Sequence, residues 1–150
     1  MRKILLAVFA LSVMSISNPA YSAGGGTLPP KELPWSFDGF FGTVDKQSAQ
    51  RGLQVYKEVC AACHSLKRVA FRDLEKIGFS ADEVKAIAAG YSVKDGPNDA
   101  GDMFERPGRP SDRFVPPFAN DKAAKAANGG ALPPDLSLIV KARPNGANYI

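Results

Sequence analysis

The chain has 150 residues, 45% of them hydrophobic and 23% charged, which suits one globular domain with a modest core. Its 19 Lys and Arg outnumber 15 Asp and Glu, yet no block of five like charges and no basic run interleaved with aromatics occurs. A nucleic-acid partner therefore has no support.

At the start, Arg2 and Lys3 precede the apolar run from Ile4 to Met14, and the small residues Ala20, Ser22 and Ala23 follow. The run is shorter than the roughly 20 residues of a membrane-spanning helix. Residues 1–23 are expected to be a secretory signal peptide, and residues 24–150 the mature domain. Losing Arg2 and Lys3 lowers the formal net charge of +4 by two. Export would place Cys60 and Cys63 in an oxidising compartment, where a disulfide is one available fate.

The lead-in GGGTLPPKELP is rich in Gly and Pro and predicts extended chain. Trp35, Phe37, Phe40 and Phe41 follow, and composition favours a core-edge cluster over a partner-binding patch. A first helix is predicted over Ser48 to Ala62, because Leu53, Tyr56, Cys60 and Cys63 form one stripe at helical spacing. Phe71, Leu74 and Ile77 predict a short second helix stopped by Gly78. Ser80 and Glu83 form a capping-box pattern for a third, with Val84, Ile87 and Ala88 on one face and Gly90 as a left-handed close. From Tyr91 to Pro117, repeated Gly and Pro predict a long functional loop without regular structure, and no hairpin signal stands out. NDKAAKAA predicts a fourth helix, ended by Asn128, Gly129 and Gly130. Asp135 can cap a fifth segment, DLSLIVKAR, with Leu136, Ile139 and Val140 inward and Pro144 as its stop. The expected fold class is mainly α with long irregular loops.

Both cysteines and the only histidine fall within VYKEVCAACHSLKRVAF. On a helical turn, Cys60, Cys63 and His64 would project from one face. Structural zinc wants a fourth ligand, which here would have to be a carboxylate. A thioredoxin-like dithiol wants a βαβ context that the flanks do not show. Cys-x-x-Cys-His is the signature of covalent haem attachment: two thiols add to the vinyl groups, and the imidazole reaches the iron.

Beyond the motif, RGLQVYKEVCAACHSL, KDGPNDAGDMFERPGRPSD and KAANGGALPPDLSLIVKARPNGANYI occur in this order. From PWSFDG to the last residue the chain resembles cytochrome c1, the haem subunit of the cytochrome bc1 complex. The resemblance implies a c-type cytochrome fold carrying one covalent haem c, with no bond-making catalysis of its own. It implies electron transfer from a Rieske iron–sulfur protein to a soluble cytochrome c, beside cytochrome b, in a quinol-oxidising complex. For a bacterial chain with a signal peptide, that places it on the periplasmic side of the inner membrane.

Carried over residue by residue, Cys60 and Cys63 match the thioether cysteines and His64 the proximal ligand. Arg143 matches an arginine that pairs with a haem propionate, and Tyr149 a tyrosine beside it. A cation closing a helix is the other role open to Arg143. The family's methionine ligand and its C-terminal membrane helix lie beyond Ile150. The expected domain is therefore truncated before the sixth-ligand segment and the anchor. Met103, 39 residues after His64, is the alternative sixth ligand of a self-contained periplasmic cytochrome. An open iron site, giving a sensor or peroxidase-like protein, is the other alternative. The family also presents an acidic docking surface, whereas here Asp95, Asp99 and Asp102 are interspersed with Lys85 and Lys94.

Overall fold

The computed structural model describes residues 29–150, so the expected signal segment lies outside the described residues. Helix α1 spans Lys46–Glu58 and starts where the Asp45 carboxylate accepts hydrogen bonds from the backbone N–H groups of Gln47 and Ser48. It ends before the predicted Ala62. Val59 leaves helical geometry, and Cys60–Ala62 forms a 3₁₀ turn. The two cysteines and His64 therefore do not share an α-helical stripe; they wrap around a tight turn in which both Cys63 N and His64 N donate to Cys60 O.

The predicted second helix is a 3₁₀ helix, Phe71–Ile77, closed by Gly78 at a left-handed φ of 99°. Helix α2, Ala81–Ala89, carries the predicted reciprocal cap: Ser80 N donates to Glu83 Oε2 at 2.8 Å, and Glu83 N to Ser80 Oγ at 3.3 Å. Gly90 does not take the left-handed close. It stays right-handed at φ −72°, and its N–H is satisfied by Ile87 O.

The stretch expected to lack regular structure contains an antiparallel hairpin, β1 Ser92–Asp95 with β2 Phe104–Pro107, in the register Lys94↔Glu105. Its strands carry Lys, Asp, Glu and Arg rather than an apolar alternation, and a long connection replaces the two-residue turn that would have signalled it. Two polar devices hold it. Asn98 Oδ1 accepts from Ala100 N and Asp102 N, both at 2.9 Å. Arg106 on β2 pairs with Asp95 on β1, and grips Asp112 with two nitrogens at 2.6 and 3.1 Å. Gly108 then passes so close to α2 that a Cβ there would lie 2.5 Å from Ala88 O.

Acid is expected to weaken this lock. Arg106, and then the Arg109 N–H, hold the Asp112 carboxyl at about 2. Because the folded value lies below the ordinary one near 4, its stabilisation is complete above about pH 4 and is lost as pH falls towards 2. Denaturant unfolding at stepped pH should show a shallower acid limb in Asp112→Asn. An unchanged slope would exclude the Arg106 pair as the source.

Helix α3, Asp121–Ala127, ends at Asn128 as its sequence predicts, while Asn120, expected within the helix, is its cap. Asp135 caps the last predicted segment, accepting from Ser137 N, but the segment divides into a 3₁₀ turn, Leu136–Leu138, and the short helix α4, Ile139–Ala142. Ile139 is buried and Leu136 half-buried, whereas Val140 is exposed rather than inward. A final 3₁₀ turn covers Gly146–Tyr149.

Tyr56, Phe71, Leu74, Val84, Ala88 and Phe114 make the core. Phe71 sits 4.6 Å from Phe114 and 4.9 Å from Tyr91 between ring centroids, so aromatic packing joins α1, the 3₁₀ helix, α2 and the loop after β2. The lead-in is split. Trp35 stacks on Phe37 and donates from Nε1 to Asn148 Oδ1 at 2.7 Å, while Phe40 and Phe41 are 94% and 90% exposed and join no core. Among the described residues no helix is long and apolar enough to cross a membrane.

Candidate functional site

The turn that follows α1 brings two free thiols to the surface, Cys60 half-buried and Cys63 exposed. One residue later, His64 Nδ1 lies 2.8 Å from the backbone carbonyl of Pro134. A carbonyl only accepts, so Nδ1 carries a proton, and in the neutral ring Nε2 is the nitrogen with the lone pair. The geometry leaves Nε2 as the atom able to ligate a metal. Tyr56 braces the same residue from the core, its hydroxyl donating to His64 O at 3.1 Å. Burial raises that phenol to about 12, so it remains a donor throughout the physiological range.

Pro134 is positioned by hydrogen bonds between segments nearly 70 residues apart in sequence. Ser65 Oγ and Lys67 N donate to Asp135 Oδ2, both at 2.8 Å, and Ser137 N donates to Asp135 Oδ1 at 2.9 Å. Leu136 N donates to Ser65 O, and Arg68 N to Ser137 Oγ. Burial pushes the Asp135 carboxyl up, but the hydrogen bonds from Ser137, Lys67 and Ser65 outweigh it and bring it down to about 2. Sequence reasoning gives Asp135 as a helix cap, within ALPPDL as a scaffold turn that shapes the haem crevice. Its hold on the motif was invisible because its partners are mostly backbone groups, which every residue carries.

Cys63, Lys67, Pro116, Phe118, Leu132 and Pro133 are among the residues lining an open cavity of about 460 Å³. Val59, immediately before Cys60, is 66% exposed, and Leu132 is also uncovered. Apolar surface thus stands open beside the thiols, as a flat apolar cofactor requires. Two free thiols at this spacing, an imidazole with a fixed tautomer and an adjoining apolar cavity fit covalent haem c. Cys60 and Cys63 would hold it, and His64 would face its iron. When bound, the group supplies a one-electron redox centre.

Arg143 and Tyr149 are brought to each other, the guanidinium carbon 5.6 Å from the ring centroid. Neither lines the cavity that Cys63 lines. Arg143 stands at the C-cap of α4 and donates to Ala142 O at 3.1 Å. Met103 lies in the connection before β2, exposed, and is likewise absent from the lining of that cavity. Within the stretch expected to be acidic, Asp95 is taken up by Arg106.

Residues 35–150 match the model of the Cytochrome C1 family. A cytochrome c1 of Rhodospirillum rubrum is 54% identical over 143 residues, covering 95% of this chain and 52% of that protein. A cytochrome b/c1 of Bradyrhizobium diazoefficiens is 53% identical over 148 residues, covering 97% of this chain and 21% of that protein. A mitochondrial cytochrome c1 heme protein of Saccharomyces cerevisiae is 48% identical over 136 residues, covering 91% and 44%. The chain spans about half the length of the first of these relatives, and less of the others. With the Cys-x-x-Cys-His turn set for thioether attachment and this match across most of its length, the chain belongs to the cytochrome c1 family, whose members bind one covalent haem c.

Proposed function

We propose that this chain carries its haem c on Cys60 and Cys63 with His64 as axial ligand, and relays electrons within a bc1 complex. The donor is a Rieske iron–sulfur protein and the acceptor a soluble cytochrome c, with cytochrome b as the neighbouring subunit. Residues 1–23 direct export, which places the haem domain on the periplasmic side of the membrane. The observation that carries this reading is the 2.8 Å contact between His64 Nδ1 and Pro134 O beside two free thiols. An imidazole held through Nδ1 in this way leaves Nε2 to face a metal.

Covalent attachment has a direct test. Coexpressed with a haem-attachment system, the protein is expected to keep its haem through denaturing electrophoresis. Cys60→Ala and Cys63→Ala should each leave only one thioether, and the double variant none. A haem-free band from the unsubstituted protein would refute the assignment.

Arg143 is the residue we assign to a haem propionate, with Tyr149 beside it. A guanidinium next to a propionate stabilises the reduced, less positive haem, so Arg143→Gln should lower the reduction potential. Arg143 is exposed in the structure, so the shift should shrink as salt is raised. A potential that does not move in redox titration would leave Arg143 as the cation that closes α4.

A further inference from the structure

We propose that Tyr56 is a positioning residue for the axial ligand, its hydroxyl fixing the main chain of His64 so that Nε2 is held toward the haem iron; this rests on the haem assignment above. The polar groups of His64 are its backbone N–H, its backbone carbonyl and the two ring nitrogens. Its N–H donates to Cys60 O at 2.8 Å, its carbonyl accepts from the Tyr56 hydroxyl at 3.1 Å, and Nδ1 meets Pro134 O at 2.8 Å. Among the described residues, Nε2 alone of these groups is left without a partner.

The anchor on the carbonyl side comes from the interior. Tyr56 lies on α1, about one turn before Cys60, and is 9% exposed. Its ring meets Phe114 edge-on with centroids 5.8 Å apart, and the buried Phe114 packs in turn on Phe71 and Tyr91. A phenol gripped by an aromatic core presents its O–H at a fixed point and has little rotational freedom to lose in making the bond. The carbonyl that it serves has no helical ladder to join, because α1 stops at Glu58 and the 3₁₀ turn at Ala62. Ser65, the next residue, is buried, so the hydroxyl stands where water has little access and its loss would leave the carbonyl poorly paired.

The bonds from Tyr56 and to Pro134 act on different parts of His64. Pro134 O sets the rotation of the ring, whereas Tyr56 sets the peptide plane from which the ring hangs. Freed from the hydroxyl, that plane can turn, and any turn displaces Nδ1 from Pro134 O. The bond from Nδ1–H to a carbonyl makes an imidazole a stronger donor to a metal, which stabilises the oxidised, more positive iron. Weakening it therefore raises the reduction potential, opposite in sign to the effect expected of Arg143→Gln. Along the chain, Tyr56 reads only as one member of an apolar stripe at helical spacing.

Tyr56→Phe in the haem-loaded protein tests this, because it keeps the ring against Phe114 and removes only the hydroxyl. The chain has one histidine, so its ring N–H gives a single resonance of its kind. Solvent exchange of that proton should quicken about two- to tenfold, the effect of losing one hydrogen bond from a local opening equilibrium. The reduction potential should rise, and the iron–histidine stretching band in resonance Raman spectra should broaden. Two controls separate positioning from packing. Tyr91→Phe removes a hydroxyl from the same aromatic cluster and should leave all three readouts unchanged. Leu74→Ala opens the same core and should lower the unfolding midpoint without moving the potential. Unchanged ring exchange in Tyr56→Phe, a potential that does not move or falls, or an equal rise in Leu74→Ala would overturn the positioning role while the haem assignment stands. An unsubstituted protein without bound haem removes the role together with that assignment, and is read from the absorption spectrum before the variants are compared.

Discussion

Replacing Asp135 with Ala is expected to cost about 2–4 kcal/mol of stability, a large effect for one half-exposed side chain. The carboxylate accepts hydrogen bonds from Ser65 Oγ, Lys67 N and Ser137 N, and so joins the turn after His64 to the segment that starts the C-terminal region. Each hydrogen bond to a charged group contributes more than a neutral one, and losing all three leaves a half-buried backbone N–H without its partner. The second consequence concerns the metal ligand. Pro134 directly precedes Asp135, so loosening the clamp releases the carbonyl that fixes His64. Asp135→Ala should therefore broaden the haem's ligand-field spectrum as well as lower the unfolding midpoint. Asp135→Asn, which retains one acceptor oxygen, should recover part of the stability. A variant with unchanged stability and spectrum would mean that the bonds from Leu136 N to Ser65 O and from Arg68 N to Ser137 Oγ hold the segments together without it.

His64→Ala is expected to abolish histidine ligation completely, because the chain contains one histidine and no substitute can swing in. Thioether attachment at Cys60 and Cys63 should survive, since it depends on the thiols. Electrophoresis would then show a haem-bearing band whose absorption and magnetic circular dichroism lack the imidazole signature. Added imidazole should restore the signature in the space that the alanine leaves. If the variant keeps a histidine-type spectrum without added imidazole, the axial assignment is wrong.

Much of this site was readable along the chain because its chemistry is local. Cys60, Cys63 and His64 lie within five residues, so no folding is needed to bring them together. The caps at Ser80 and Glu83 and at Asp135 were legible for the same reason, each being a contact within three residues. The hairpin was not. Its two strands are rich in charge and are held by Arg106, whose partners Asp95 and Asp112 lie on opposite sides of it in sequence. Periodicity reports burial, and a hairpin fastened by ion pairs and an asparagine-stabilised connection presents little alternating burial to report.

The sequence by itself determined the kind of cofactor, because its signature is two thiols at a fixed spacing with a histidine beside them. It also determined the starts at Ser80 and Asp135, which depend on side chains reaching their own backbone, whereas the first helix, expected from Ser48, begins at Lys46 behind the Asp45 cap. Only the tertiary structure decided which nitrogen of His64 is free, since the deciding partner is a backbone carbonyl 70 residues away. It likewise decided that Asp135 ties the turn after His64 to the C-terminal region, by accepting from Ser65 Oγ and Lys67 N. Bonds between segments nearly 70 residues apart leave no mark along the chain, because most of them end on backbone groups that nearly every residue carries.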